Sequence, residues 1–408
     1  MKKALFTAVQ VRSILALLCL NITAFASTNP YAPGIERTGE YYNLVHDKHI
    51  AVVANATSLM LNGTHTVDQM ISLGSYVDFV MAPEHGFRGD ADAGEKVEDG
   101  VDAKTGIPIR SLYGKNKRPN PEWFKFLDLV VFDIQDVGVR FYTYSTTLSY
   151  VLDACIEAGV PVLILDRGNP NGHYIDGPVL KPGYESMVGL HPIPVVHGLT
   201  MGEYATMVLG EQWVPMAKHD SLVNRFTAAG GLKVVKAQGY SHAQVFSAFQ
   251  VAPSPNLRSI EAIRYYPSLC FFEGTVVSCG RGTLAPFTHF GAPDLPAENY
   301  THTFTPQPDH GSKYPKFQGK MCHGLLLSEV EVPVDELTSI NWTYFFNAAK
   351  DYTGDKPFFN AFLAKLAGTD QLRKAVEEGW TIDQWKESYR SDLEQYKVLY
   401  EKYLLYAL

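Results

Sequence analysis

Four short apolar runs, Ile50 to Val53, Val77 to Met81, Leu127 to Ile134 and Val160 to Leu165, alternate with segments of helical character at Thr66 to Leu73, Pro121 to Phe126 and Thr146 to Ala158. A short apolar run without strict polar alternation fits a strand buried on both faces, as in a parallel sheet. Strands spaced by helices in this way predict a parallel sheet covered by helices on both sides, an α/β fold of Rossmann-like shape. Near Ala252 the character changes to proline-rich and then glycine-rich, β-branched sequence, in Pro253-Ser254-Pro255-Asn256, Phe272-Glu273-Gly274-Thr275 and Cys279-Gly280-Arg281-Gly282-Thr283. The reading is therefore a Rossmann-like catalytic domain over 30–250 and a smaller α+β domain over 251–408 that completes a cleft. A chain of 408 residues is long enough for both. Thr200 followed by Glu203 reads as a capping box opening a helix. The final segment, Thr381 to Leu404, reads as one helix whose Trp385, Tyr389, Leu393, Tyr396 and Tyr400 stripe packs into the core.

The loops after three of these strands carry the polar groups. Val77 to Met81 leads into Pro83-Glu84-His85-Gly86-Phe87-Arg88-Gly89, the Leu127 run into Gln135, Asp136, Arg140, Tyr142 and Tyr144, and the Val160 run into Asp166, Arg167 and Asn169. In open α/β sheets ligands bind outside the carboxyl ends of the strands, which makes these groups candidates for chemistry. The plainer reading of the first loop is a surface ion pair between Glu84 and Arg88 with His85 merely packed. No GxGxxG or GxxxxGK[ST] loop is present to cradle a dinucleotide or nucleoside triphosphate. No GxSxG elbow holds a nucleophilic serine, which weakens an esterase reading. His85 and His197 with Asp136 or Asp166 lack HxH, HxxxH or CxxC spacing, so neither metal nor cofactor is expected.

Lys2 and Lys3, the apolar stretch Ile14 to Leu20 and Ala24-Phe25-Ala26 read as a signal peptide over 1–26, cut after Ala26, which predicts a periplasmic or secreted protein. No later stretch reaches the roughly 18 apolar residues needed to span a bilayer, so no stable membrane insertion is expected. A formal net charge of -8 gives no basic face for phosphates and argues against a nucleic-acid partner. Cys155, Cys270, Cys279 and Cys322 are too few in a mature chain of this length for a disulfide scaffold.

Taken together, the motifs Ala82-Pro83-Glu84-His85-Gly86-Phe87-Arg88-Gly89, Gly94-Glu95-Lys96-Val97, Ser111-Leu112-Tyr113-Gly114, Phe132-Asp133-Ile134-Gln135-Asp136-Val137-Gly138, Arg140-Phe141-Tyr142-Thr143-Tyr144, Leu165-Asp166-Arg167, Phe272-Glu273-Gly274-Thr275 and Gly280-Arg281-Gly282-Thr283 resemble the NamZ-type exo-β-N-acetylmuramidase family. The match runs over nearly the whole mature chain, in order. The resemblance implies a glycoside hydrolase that removes a terminal N-acetylmuramic acid from peptidoglycan-derived muropeptides or disaccharides. By that carry-over Glu84 is the principal catalytic carboxylate; His85, its neighbour in the chain, is on its own account a candidate for tuning the proton affinity of Glu84.

Glycoside cleavage usually needs a second carboxyl group. The candidates are Asp153, then Asp136, then Asp176, with Asp153 and Asp176 standing where the family more often has Glu. The lactyl carboxylate of muramic acid calls for a cation, for which Arg88, Arg140, Arg167 and Arg281 are available. Tyr142, Tyr144 and Phe287 are aromatic faces for a sugar ring, and Gln135, Asn169, Asp176 and His197 are further polar candidates. Gly168, Asn171, His173 and Leu257-Arg258 depart from the family pattern at positions expected to flank the cleft. The competing reading is a muropeptide- or sugar-binding protein with an inactive cleft.

Overall fold

β1 (His49–Ala54), β2 (Tyr76–Ala82), β3 (Gly100–Val101), β4 (Pro108–Ser111), β5 (Leu129–Asp133), β6 (Val162–Leu165) and β7 (Leu232–Val235) form one sheet in the order β3-β4-β2-β1-β5-β6-β7. This arrangement comes from a computed structural model that describes residues 30–84, 86–88, 99–114, 116–214, 220–330, 333 and 336–408. Residues 1–26, read above as a signal peptide, His85 and the Gly94-Glu95-Lys96-Val97 motif lie outside the described residues. Every neighbouring pair of strands is parallel except β3 with β4.

The four strands expected from the apolar runs form the middle of the sheet, while β4 and β7, four residues each, carry too short an apolar run to stand out. β1 is the axis: Val52 pairs with Val80 of β2 on one side and with Val131 of β5 on the other. From β1 the chain first builds outward through β2 to β4, then returns and builds the other way through β5, β6 and β7. That reversal opens a crevice beyond the carboxyl ends of β1, β2 and β5.

The two faces of the sheet have separate cores. One is closed by the helices Thr38–Val45 and Thr66–Ser72, whose Tyr41, Val45, Val67 and Met70 pack on Val52, Val80 and Val131. The other is covered by the helix Tyr144–Ala158, buried along most of its length because the helices Met201–Gly210 and Asp220–Ala228 and the 3₁₀ turn Pro121–Phe124 pack around it. That core runs continuously from Val53 and Phe132 to Phe271, Trp342 and Trp385, so the two halves share one apolar interior. Each large apolar side chain buried there contributes roughly 1.5–3 kcal/mol. The capping box is present: Thr200 Oγ1 accepts from the Glu203 amide and Glu203 accepts from the Thr200 amide at the head of the helix Met201–Gly210.

The second half holds a small antiparallel sheet of β8 (His289–Ala292), β9 (His302–Phe304) and β10 (Cys322–Leu326) in the order β8-β10-β9, with helices around it. The single helix expected over Thr381 to Leu404 is instead two, Ile382–Ser388 and Arg390–Tyr400, parted at Tyr389. Tyr389 leaves helical geometry with its hydroxyl buried, accepting from Trp342 Nε1 at 3.0 Å and reaching Asp176 at 3.4 Å. The stripe is core packing as read: Trp385, Tyr389, Tyr396 and Tyr400 are buried and Leu393 is partly so.

The chain end returns to the first sheet. The Leu405 amide donates to Glu203 and the Tyr406 hydroxyl to Asp166. Among the described residues Cys155, Cys270, Cys279 and Cys322 are buried free thiols. Among the described residues no helix is long and apolar enough to cross a membrane.

Candidate active site

A cavity of about 920 Å³ lies at the carboxyl edge of the sheet, where the two halves of the chain meet. Glu84, Tyr113, Tyr142 and Thr143 form its first-half wall, and Tyr266, Glu273, Arg281 and Phe287 form the wall from the second half. Glu84 sits two residues past β2, whose last four residues are buried and hold the backbone in place. Its Oε2 accepts from Thr143 Oγ1 at 2.8 Å, and its carbonyl accepts from the Tyr144 hydroxyl at 3.3 Å. Tyr144 is itself fixed by Asn55, at the end of β1, which donates to its hydroxyl at 2.8 Å. Tyr113 also hydrogen-bonds the Glu84 carboxylate, and burial together with that charge pushes its phenol up, so it stays a neutral donor. Segments following four adjacent strands, β4, β2, β1 and β5, thus converge on Glu84.

Facing it on the same cavity is Glu273, which was not among the candidates from sequence. It stands on the one-turn 3₁₀ segment Cys270–Gly274 that continues the helix Ile260–Leu269. Its Oε1 accepts from Arg281 Nε at 3.1 Å and from the Cys279 thiol at 3.6 Å. Lys316 is anchored behind it, donating to the Phe272, Thr275 and Val277 carbonyls at 2.9, 2.9 and 3.0 Å. Burial alone would raise the Glu273 carboxyl, but the Arg281 and Lys316 charges outweigh it and hold it below its ordinary range. The signal for Glu273 was present in the Phe272-Glu273-Gly274-Thr275 motif, where a lone carboxylate stands among apolar and small residues, with Arg281 eight residues on.

The structure separates the remaining candidates. Of the four arginines, Arg281 alone lines the cavity. Arg88 forms a two-pronged pair with Asp102 at 2.9 and 2.8 Å, holding that carboxyl well below the carboxylate range. Arg167 forms a two-pronged pair with Asp133 at 2.6 and 2.9 Å and also donates to the Leu59 carbonyl. Arg140 is fully buried and donates to the carbonyls of Pro178, Ile193 and Leu366, with burial pushing its guanidinium down to about 9.

Asp153 is away from the cavity: its side chain is fully buried and paired with Arg118, which also binds Glu157. Asp136 accepts from the Gly138 amide at 2.7 Å, and burial pushes its carboxyl up to about 7. Asp166 caps the helix Met201–Gly210 through Thr200 Oγ1 and the Gly202 amide, with burial pushing it up to about 6. Asp176 accepts from the Ile340 and Gly177 amides.

Gln135 donates to the Asp136 and Gly168 carbonyls, Asn169 donates to the Leu199 carbonyl, and His197 Nδ1 accepts from the Leu199 amide, with burial pushing its ring down to about 3. Gly138 has φ +73°, and a side chain there would place a Cβ 2.0 Å from Asn169 Oδ1. These groups join loops to one another beneath the cleft.

Tyr142 and Phe287 border the cavity, Tyr142 tied by its hydroxyl to the Pro253 carbonyl, whereas Tyr144 lies behind Glu84. The departures from the family pattern were expected to flank the cleft, and only Leu257 does. Gly168 leaves room for Phe246, whose ring a Cβ there would meet at 2.5 Å, and Asn171 bonds the Val137 and Ile263 carbonyls. His173 bonds the Leu337 carbonyl and Arg264, and Arg258 ties the Pro255 and His310 carbonyls together. His85 lies outside the described residues. Among the described residues no group of three or more His, Cys, Asp or Glu is placed to hold a metal ion.

Residues 50–261 match the family model for the N-terminal part of exo-beta-N-acetylmuramidase NamZ, and residues 264–406 the model for its C-terminal part. The chain is 34% identical over 388 residues to the peptidoglycan beta-N-acetylmuramidase NamZ of Bacillus subtilis strain 168, covering 90% of this chain and 89% of that protein. Two crystal structures of DUF1343 family proteins from Bacteroides fragilis NCTC 9343 each cover 92% of this chain and 99% of their own. Their TM-scores are 0.81 and 0.76, at 38% and 24% identity, the second likeness being one of fold.

Proposed function

The chain belongs to the NamZ exo-β-N-acetylmuramidase family, and we propose that it releases terminal N-acetylmuramic acid from the non-reducing end of peptidoglycan fragments, with Glu84 and Glu273 as its two working carboxyl groups. The observation that carries this reading is the placement of those two carboxyl groups on one cavity, each from a different half of the chain and in a different electrostatic setting.

Glycosidic cleavage needs a proton on the departing oxygen and negative charge near the anomeric carbon, where an oxocarbenium-like centre develops. Glu84, among the neutral hydroxyls of Thr143 and Tyr113, is assigned the proton transfer. Glu273, kept ionised by Arg281 and Lys316, is assigned the anomeric side. Division of labour between an acid and a base follows when the surroundings of two carboxyl groups differ in this way.

Tyr142, Tyr266 and Phe287 supply an apolar floor for the sugar ring. The lactyl carboxylate that distinguishes muramic acid from N-acetylglucosamine calls for a cation, and Arg281, Lys117 and Lys313 line the cavity. The basic and apolar N-terminal segment supports a place outside the cytoplasm, in turnover of cell-wall fragments.

Incubating the purified protein with a chromogenic β-N-acetylmuramide and its N-acetylglucosaminide counterpart tests the assignment. Release from the muramide alone, lost in Glu84→Gln, is the expected result. A protein that binds the muramide and never releases product would be the inactive sugar-binding protein instead.

A further inference from the structure

The cavity has a floor of buried aromatics and a rim that carries one aromatic ring almost wholly in solvent. Tyr142 and Phe287 are 6% and 1% exposed, whereas Tyr314, which borders the same cavity, is 89% exposed. A lone exposed aromatic is ordinary on a protein surface. Tyr314 differs in the frame that presents it.

The loop leading to it is pinned on several sides: the Gln307 amide donates to the Gly282 carbonyl at 2.8 Å, Asn256 Nδ2 donates to the Gly311 carbonyl at 2.6 Å, and Arg258 holds Asp309 and the His310 carbonyl at 2.6 and 2.8 Å. Two residues past Tyr314, Lys316 is locked by three carbonyls to the turn that carries Glu273. The ring thus stands free on a backbone that shares its anchor with the proposed catalytic carboxylate. A fixed loop holding an uncommitted apolar face beside a cleft is suited to a ligand that arrives from solvent.

We infer that Tyr314 is the stacking platform for the leaving-group sugar, the N-acetylglucosamine unit on the reducing side of the bond that breaks. This rests on the muramidase reading above. In an enzyme that removes a terminal sugar, the glycone occupies the space between the two carboxyl groups, and the rest of the substrate leaves by the mouth. The apolar C–H face of a pyranose and the face of a tyrosine ring are complementary, and the hydroxyl of that tyrosine plays no part in the contact.

The test is steady-state hydrolysis of the disaccharide N-acetylmuramyl-N-acetylglucosamine by the wild type, Tyr314→Ala and Tyr314→Phe, alongside inhibition by free N-acetylmuramic acid. At a position this exposed neither substitution disturbs the core. The expected result is a fall of about tenfold in kcat/KM for Tyr314→Ala, chiefly in KM, with Tyr314→Phe within about twofold of wild type and inhibition by N-acetylmuramic acid unchanged in both. An unchanged kcat/KM in Tyr314→Ala overturns the assignment, as does a parallel weakening of inhibition by N-acetylmuramic acid, which would put the ring in the glycone site. Failure of the wild type to cleave the disaccharide overturns the muramidase reading and this assignment with it.

Discussion

The rim of the cleft and the polar layer just beneath it are built from the same residue types, and they use them in opposite ways. At the cleft, Glu84 and Glu273 are held by side chains, Thr143 and Tyr113 for one and Arg281 for the other, and both border open space. Beneath it, Arg140, Asp166, Asp176 and Asn169 meet backbone carbonyls and amides of distant loops. A buried loop must satisfy every amide and carbonyl it carries, and charged side chains reaching across from other loops do this where water cannot. The lesson is that charge at the end of a buried strand has two uses, lining a cleft and bracing loops, separated by whether the group borders the cavity or is closed into the interior.

Four substitutions probe that division. The largest effect is expected at Glu84→Gln, with turnover of a β-N-acetylmuramide falling roughly 10²–10⁴-fold and unfolding by urea unchanged. Loss of folding in parallel with activity would move Glu84 into the bracing class. Arg167→Met is expected to do the reverse, destabilising the fold by about 3–5 kcal/mol because it strands the Asp133 carboxylate in the interior. Below the midpoint of its unfolding the variant should retain turnover, and an Arg167→Met protein that is stable and inactive would contradict the comparison.

Asp136→Asn is expected to alter how stability depends on pH. Burial raises the folded carboxyl to about 7, above its unfolded value, so its contribution is complete at acid pH and is lost as pH rises toward about 7. Relative to the variant, the wild type should therefore lose on the order of a few kcal/mol between pH 4 and pH 7. His197, pushed down to about 3 by burial, works the other way, its contribution present at neutral pH and lost as pH falls. A pH-independent difference between wild type and Asp136→Asn would show that this carboxyl is ionised inside the fold. The smallest effect is expected at Asp153→Asn, with turnover within about threefold of wild type, since its partner Arg118 belongs to the brace on the helix Tyr144–Ala158.

The sheet was legible because its central strands are buried on both faces and so appear as apolar runs, and the capping box at Thr200 follows from the spacing of two residues. The short flanking strands left no such trace. Glu84 was legible as a carboxylate directly after a buried strand. Glu273 stood in a visible motif, but its place on the cavity was not legible, because it rides on a short 3₁₀ segment in the second half and reaches the cavity through the docking of the two halves. Asp153 was favoured by its position after the Tyr144 loop, yet a helix turns only some of its residues toward a given neighbour, and Asp153 lies on the side that faces Arg118. Arg140 and Arg281 look equivalent as sequence, and only the carbonyls around one and the carboxylate beside the other tell them apart.

The most direct test of a catalytic pair that spans the two halves is kcat for Glu273→Gln, measured with the affinity of the same sample for N-acetylmuramic acid. A loss of roughly 10²–10⁴-fold in kcat with binding retained is the expected result. A Glu273→Gln protein that turns over at close to the wild-type rate would contradict the account and leave Glu84 without the partner assigned to it.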